Sequence, residues 1–294
     1  MTTATLPGPP TTAAPAARRR ELTGWLLLPA TAVLLVFFFY PLAFIAWRSI
    51  SEPELGLGNY LALLNDGVSM TVLLRTLRTA LLVAVCALVI AYPYAYAMTR
   101  VSPRVRGILT LLVLLPFWTS VMARNFAWYL LEQRDGLIDK FFSALGIEGV
   151  VLLGTVAGVT VAMVQVMLPF MVLPLYSSMS GIDHKLLDAA ISLGAPRFNA
   201  FRTVYFPLSL PGVASGFSLV FIMTLGFFVT PALLGSPRES LISQLIETRV
   251  TDLLDFAGGG ALGSVLLVVT LLVLLAVSRV ARPTAGLSKA VDSA

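Results

Sequence analysis

Gly181-Ile182-Asp183-His184-Lys185-Leu186-Leu187-Asp188-Ala189-Ala190-Ile191-Ser192-Leu193-Gly194-Ala195-Pro196-Arg197, continuing through Phe198 to Pro207, is a polar interruption between two apolar runs. The uncharged windows on either side, 149–182 and 203–237, each exceed the ~20 residues a helix needs to cross ~30 Å of hydrocarbon. The interruption carries helix signals of its own. Asp183 is placed to accept a hydrogen bond from a free amide of a first turn. Ile182 before it and Leu187 after it suit a hydrophobic staple. Leu186, Leu187, Ala190 and Ile191 recur at helical spacing. Gly194 suits a left-handed stop, and Pro196 prevents continuation. The pattern predicts a sharply ended helix over about 184–193. A second amphipathic stretch, Phe198 to Phe206, leads to the next span at Pro207.

Away from this loop the chain is written for a bilayer. It has 294 residues, 57% hydrophobic and only 12% charged, with a mean hydropathy of +0.89. A soluble domain of this length needs a more charged surface. Besides the two windows beside the loop, uncharged windows run 22–47, 79–99, 107–123 and 256–278. The 107–123 window is short unless its helix continues past Arg124 toward Leu131. The expectation is an all-α membrane protein with six transmembrane helices, near 24–47, 76–99, 107–131, 151–175, 207–233 and 258–279. Residues 24–282 form the membrane domain, with the loop 178–206 between spans four and five. The Thr-, Ala- and Pro-rich residues 1–23 read as a disordered tail, and 283–294 as a C-terminal tail. Arg18–Arg20 ahead of the first run resembles the start of a signal peptide, but the run suits a first span better. Trp25 and Trp47 bracket it as interfacial aromatics.

Six spans put both termini and the loop on one side. That side carries Arg18, Arg19, Arg20, Arg100, Arg104, Arg106, Lys185, Arg197, Arg202, Arg279, Arg282 and Lys289, twelve of the twenty Lys and Arg. By the positive-inside rule it is the cytoplasmic side. This distribution accounts for the net charge of +5 without a nucleic-acid partner.

Several function classes lose their chemistry here. One cysteine, Cys86, and one histidine, His184, allow no internal disulfide and no His/Cys zinc cluster. No phosphate-binding Gly-rich loop ending in Lys-Ser or Lys-Thr occurs, and no nucleophile–base set stands out. A membrane-embedded enzyme would need clustered His, Asp or Glu. A secondary transporter predicts carboxylates within its spans, and the six windows contain none. Polar residues at membrane depth are few. Arg124 and Asn125 follow Pro116-Phe117-Trp118-Thr119, and Gln165 lies mid-span. Arg124 faces either the outer headgroups or a cavity, and Gln165 makes either an interhelical hydrogen bond or a solute contact. The Gly258-Gly259-Gly260 cluster with Gly263 is either a hinge or a place of close helix packing.

Asp188-Ala189-Ala190, three residues, Gly194, nine residues, Val204, one residue, Phe206-Pro207 is similar to the signature of ABC-transporter permeases. That signature reads Glu-Ala-Ala, three residues, Gly, nine residues, Ile, one residue, Leu-Pro, in a cytoplasmic loop before the penultimate span. Asp188, Val204 and Phe206 depart conservatively from it. Leu115-Pro116-Phe117-Trp118-Thr119-Ser120 leading to Arg124, and Leu168-Pro169-Phe170 through Ser178, resemble the first permease of spermidine/putrescine importers. The resemblance runs from span one to span six. It implies a bacterial inner-membrane subunit that is no enzyme and binds no cofactor or metal. ATP would be used by two separate cytoplasmic ATPase subunits. The other implied partners are a second homologous permease and an extracytoplasmic solute-binding protein. The loop helix would couple the ATPase to the spans through Asp188, Ala189, Ala190, Gly194, Ala195, Pro196 and Pro207. A solute path for polyamines or a related small organic solute would draw on Trp118, Arg124, Asn125, Trp128, Tyr129, Gln165, Phe170 and Phe227, with Tyr176 and Phe228 as further aromatic faces. Taken one at a time, these aromatics also suit lipid-facing or packing roles. Glu132, Asp135, Asp139 and Glu148 read as a mild negative funnel on the outer loops, whereas Arg124 suits a zwitterionic or anionic solute better than a bare cation.

Overall fold

Backbone in hydrocarbon has no water to bond, so the apolar runs must close their own hydrogen bonds as helices. The computed structural model describes Pro29 and residues 31–291, and every regular element among these residues is helical. In chain order the α-helices are α1 (Tyr40–Ser51), α2 (Gly58–Asn65), α3 (Gly67–Arg100), α4 (Pro103–Trp118), α5 (Val121–Glu132), α6 (Leu137–Ala144), α7 (Val156–Ser180), α8 (His184–Ser192), α9 (Arg197–Ala200), α10 (Phe206–Leu225), α11 (Val229–Leu234), α12 (Ile242–Glu247) and α13 (Phe256–Val291). Five stretches are long and apolar enough to cross a membrane: Thr31–Ser51, Gly67–Arg100, Val156–Ser180, Arg197–Leu225 and Phe256–Val277. The α4–α5 pair makes a sixth if its two arms count as one span. The expected tail over 1–23 and Trp25 lie outside the described residues.

The core is a bundle of α3, α7 and α10. Ala80, Ala84, Ala87, Ala91 and Ala95 of α3 are fully buried, as are Met163, Met167, Met171 and Met179 of α7. Small residues let helix backbones approach in a membrane, and methionine fills the irregular gaps that remain. Gly212 and Gly216 bring α10 onto α7. A Cβ at Gly216 would lie 2.9 Å from Met171 Sδ, and one at Gly212 would lie 2.5 Å from Ser178 Cβ. The glycine cluster that opens α13 is a packing site as well, because a Cβ at Gly260 would meet Ile45 Cγ2 and O at 3.0 Å each.

Three expected spans are corrected. The third is not one helix over 107–131: α4 ends at Trp118, Thr119 and Ser120 are extended, and the next arm leaves at 96°. Pro116 removes an amide and crowds the preceding turn, and local side chains satisfy its own carbonyl, left without a helical partner where α4 ends. Thr119 Oγ1 donates to Pro116 O at 2.9 Å and Arg124 Nη1 donates to it at 2.6 Å. The second span starts at Gly67 rather than near 76, with Arg75 and Arg78 inside the helix. Arg75 is tolerated there because it faces Glu239 at 3.5 Å and donates to Ser240 O at 3.3 Å. The fifth span begins at Arg197, ten residues before Pro207, through a π-helical turn at Phe201–Tyr205. It stops at Leu225, and Gly226–Phe228 separates it from α11.

The outer acidic funnel is also corrected. Asp135 and Glu148 are exposed, but Glu132 and Asp139 are buried. Asp139 accepts the amides of Asp135 and Val150 at 3.0 and 3.1 Å. The Glu132 carboxyl lies against the first turn of α7, where a Cβ on Gly158 would come within 2.5 Å of Oε2. Short loops must satisfy their own amides, and Asp139 serves that purpose, whereas both carboxylate oxygens of Glu132 are buried without a hydrogen-bond partner.

Candidate functional site: a capped loop helix and a cleft between two broken spans

The interruption folds as its residues prescribe. Asp183 accepts the Lys185 amide at 2.9 Å at the head of α8. Gly194 has φ +92°, a left-handed conformation that disfavours any residue with a Cβ. Leu187, Ala190 and Ile191 turn toward the protein and are half-buried, while Asp188, Ala189 and Gly194 are exposed. Leu186 stands apart from the expected apolar stripe at 45% exposure, and Leu193 and Phe198 stand free at 89% and 72%. Ala195 and Pro207 are half-buried and Pro196 is exposed.

The second site lies where the two broken spans meet α7. A cleft of about 230 Å³ is lined by Pro116, Phe117, Thr119, Val121 and Arg124 from the first break, Met223 and Phe227 from the second, and Val166, Met167 and Phe170 of α7. Phe117 and Phe170 stack edge to face at 5.1 Å between centroids. Arg124 is half-buried, and its Nε is buried without a hydrogen-bond partner. The breaks are cross-tied: Thr230 of α11 donates to Asn125 Oδ1 at 2.8 Å, and Asn125 Nδ2 donates to Val121 O at 2.9 Å. Ser243 donates to Phe227 O at 2.8 Å, so the second break is satisfied as the first is. Irregular backbone at membrane depth persists only where protein buries it or where it lines a cavity, and solute sites in many transporters sit at such broken helices.

Of the eight residues assigned to a solute path, the structure brings Arg124, Phe170 and Phe227 into this cleft. Asn125 and Tyr129 line an adjoining hollow of about 240 Å³ with Met122, Phe126 and Leu233. Trp128 Nε1 donates to Gln165 Oε1 at 2.6 Å, an interhelical bond that occupies both side chains. Trp118 stands apart at 83% exposure. Sequence reasoning missed Thr230 and Ser243. Neither carries a local signal, since Thr230 acts on a partner 105 positions away.

Residues 95–283, which include α8 and the lining of both hollows, match the model of the family described as binding-protein-dependent transport system inner membrane component. The chain belongs to this family. It is an inner-membrane, multi-pass ABC-type permease, a transport subunit rather than an enzyme. It is 33% identical over 228 residues to the spermidine/putrescine transport system permease protein PotB of Escherichia coli, covering 77% of this chain and 82% of that one. It is 35% identical over 199 residues to the inner membrane ABC transporter permease protein YdcU of Escherichia coli, covering 63% of each. A probable sulfate transport system permease protein of Prototheca wickerhamii is 26% identical over 205 residues. Among solved structures, a chain of a bacterial alginate ABC transporter superposes with a TM-score of 0.72 at 18% identity, covering 90% of this permease and 96% of that chain. That likeness carries the fold.

Proposed function

We propose that this permease is the pore-forming subunit of an ATP-driven importer, with six spans and both termini in the cytoplasm, and that α8 couples it to a separate ATPase. The observation that carries the reading is α8 itself. It is capped at Asp183 and stopped at Gly194, carries the exposed Leu186 beside the signature positions Asp188, Ala189 and Ala190, and is followed by the exposed Leu193 and Phe198. A ligand shifts an equilibrium only through differential affinity for its two states, so ATP-driven motion must reach the spans through a stiff element. A short helix with both ends specified has that stiffness. Ala195 and Pro196 continue the stop, and Pro207 lies in the helix that carries it into the fifth span. The partners are two ATP-binding cytoplasmic subunits, a second homologous permease and an extracytoplasmic solute-binding protein. ATP is used by the ATPase partner, and this chain itself binds no cofactor.

The solute is a polyamine such as spermidine or putrescine, or a related small organic solute. Support comes from the similarity to PotB across most of both chains. The path runs past the cleft at the two breaks, with Arg124, Phe170 and Phe227 as its wall and Asn125 and Tyr129 beside it. Trp128 and Gln165 hold that wall in place.

Gly194→Val tests the coupling. A left-handed residue bearing a Cβ is strained by about 1–2 kcal/mol, enough to shift the loop by roughly tenfold in population. The reconstituted complex should keep its basal ATP hydrolysis and lose solute uptake. Wild-type uptake by Gly194→Val would remove the coupling role. Titration of the associated binding protein with putrescine by calorimetry tests the solute, and absence of heat with any polyamine would remove that assignment.

A further inference from the structure

The two breaks that wall the cleft are held in different ways. At the first, the exposed carbonyl is tied locally, because Thr119 and Arg124 return to Pro116 O from three and eight positions away. At the second, the Phe227 carbonyl is tied by Ser243, which belongs to the separate helix α12, at 2.8 Å. That helix is in turn fastened to a third element. The Ile242 amide donates to Thr76 Oγ1 of α3 at 2.9 Å, across 166 positions. Just ahead of α12, Arg75 of α3 donates to Ser240 O at 3.3 Å and faces Glu239 at 3.5 Å. The Leu241 amide donates to Gln244 Oε1 at 2.8 Å, so the entry to α12 is specified from both sides.

The apolar packing follows the same division. Ile242 is fully buried in a small cluster with Leu63, Val72, Leu73, Ala261 and Leu262, distinct from the main core. Phe227 packs against the main core instead. The Ser243 hydroxyl therefore crosses from one cluster to the other, and it ends on the backbone of a residue that lines the cleft. A carbonyl outside a helical ladder must find a donor, and here the donor comes from a helix with its own anchors. We infer that Ser243 is a positioning residue of the solute path: it sets the place of the Phe227 wall, and Thr76 and Arg75 set the place of Ser243. The first wall is fixed by its own residues. The second is the movable one, because a shift of α12 along α3 frees the Phe227 carbonyl and lets the wall swing away from α7. The inference rests on the reading of the cleft as part of the solute path and holds whichever solute is carried.

Labelling of a cysteine in the cleft reads the wall directly. In the full chain carrying Cys86→Ser, Val166→Cys places a thiol on α7 among the lining residues. Its rate of reaction with a small methanethiosulfonate reagent reports access past Phe227. Adding Ser243→Ala should raise that rate about fivefold, the population shift expected from one lost hydrogen bond. Ser243→Thr keeps the hydroxyl and should restore the parent rate. Thr76→Val, nearly isosteric, removes the anchor on α3 and should raise the rate as well. Combined with Ser243→Ala it should add little, because both act through one contact. Met122→Cys, in the adjoining hollow, should react at one rate in every background. An unchanged or slower Val166→Cys rate in Ser243→Ala would overturn the role, as would no restoration by Ser243→Thr or full multiplication of the two effects. Equal speeding at Met122→Cys would do the same, since it marks general loosening. These rates are read without solute, so their failure leaves the importer reading standing, and a failure of uptake leaves the rates untouched.

Discussion

Gly216 shows how finely single positions are set. A Cβ there would meet Met171 Sδ at 2.9 Å and Met171 O at 3.1 Å, whereas one at Gly263 would meet nothing within 4 Å. Gly216→Val forces an overpacked α7–α10 seam and should cost about 1–3 kcal/mol. The unfolding midpoint in detergent should drop for Gly216→Val and change far less for Gly263→Val. Asn125 is a polar counterpart. Asn125→Ala leaves the buried Thr230 hydroxyl without its acceptor, a loss of about 1–3 kcal/mol. Combining it with Thr230→Val should cost less than the two singles together, which a double-mutant cycle on unfolding free energies measures. Asn125 and Gln165 stood out in the sequence because polar side chains at membrane depth are scarce. Their partners did not, because Thr230 and Trp128 are matched to them by packing and not by spacing.

Helix ends follow local chemistry closely, and helix breaks follow it less well. The Asp183 cap and the Gly194 stop were readable because each acts within one turn of its own residue. Asp183→Ala should cost about 1 kcal/mol of helix stability, seen as faster hydrogen exchange across the first turn of α8. Asp66 plays the same role for α3, accepting the amides of Val68 and Ser69 at 3.1 and 3.3 Å. Its carboxyl is held below the usual carboxylate range, foremost by the Ser69 hydroxyl donating at 2.6 Å, with the Val68 and Ser69 amides and Arg249 adding to it. A depressed carboxylate stabilises above its unfolded value, about 3.9, and that contribution is lost as pH falls through the lower folded value. Wild type and Asp66→Asn should therefore differ in unfolding midpoint at neutral pH and converge in strong acid. The break after Trp118 was not expected, because the run over 107–131 reads as continuous helix although Pro116 lies within it. What makes the break stable is Arg124 and Thr119 returning to the Pro116 carbonyl, contacts that form only once the 96° bend exists.

Across the whole molecule, sidedness is the property most open to a direct test. In a Cys86→Ser background, Ser143→Cys should react with an impermeant maleimide from outside intact cells, and Ser180→Cys only after permeabilisation. Labelling of both from outside would refute the six-span orientation. The class of the protein and the shape of its key loop came from the chain's own pattern. Uncharged runs of span length, the distribution of Lys and Arg, and capping residues within a turn of each other are local or additive signals, so they survive without knowledge of the fold. The tertiary structure decided which spans break, which acids are buried, and which polar residues share a cleft. Those depend on α3, α7 and α10 packing through small residues and methionines, and on side chains more than a hundred positions apart answering carbonyls and amides that only the packed bundle exposes.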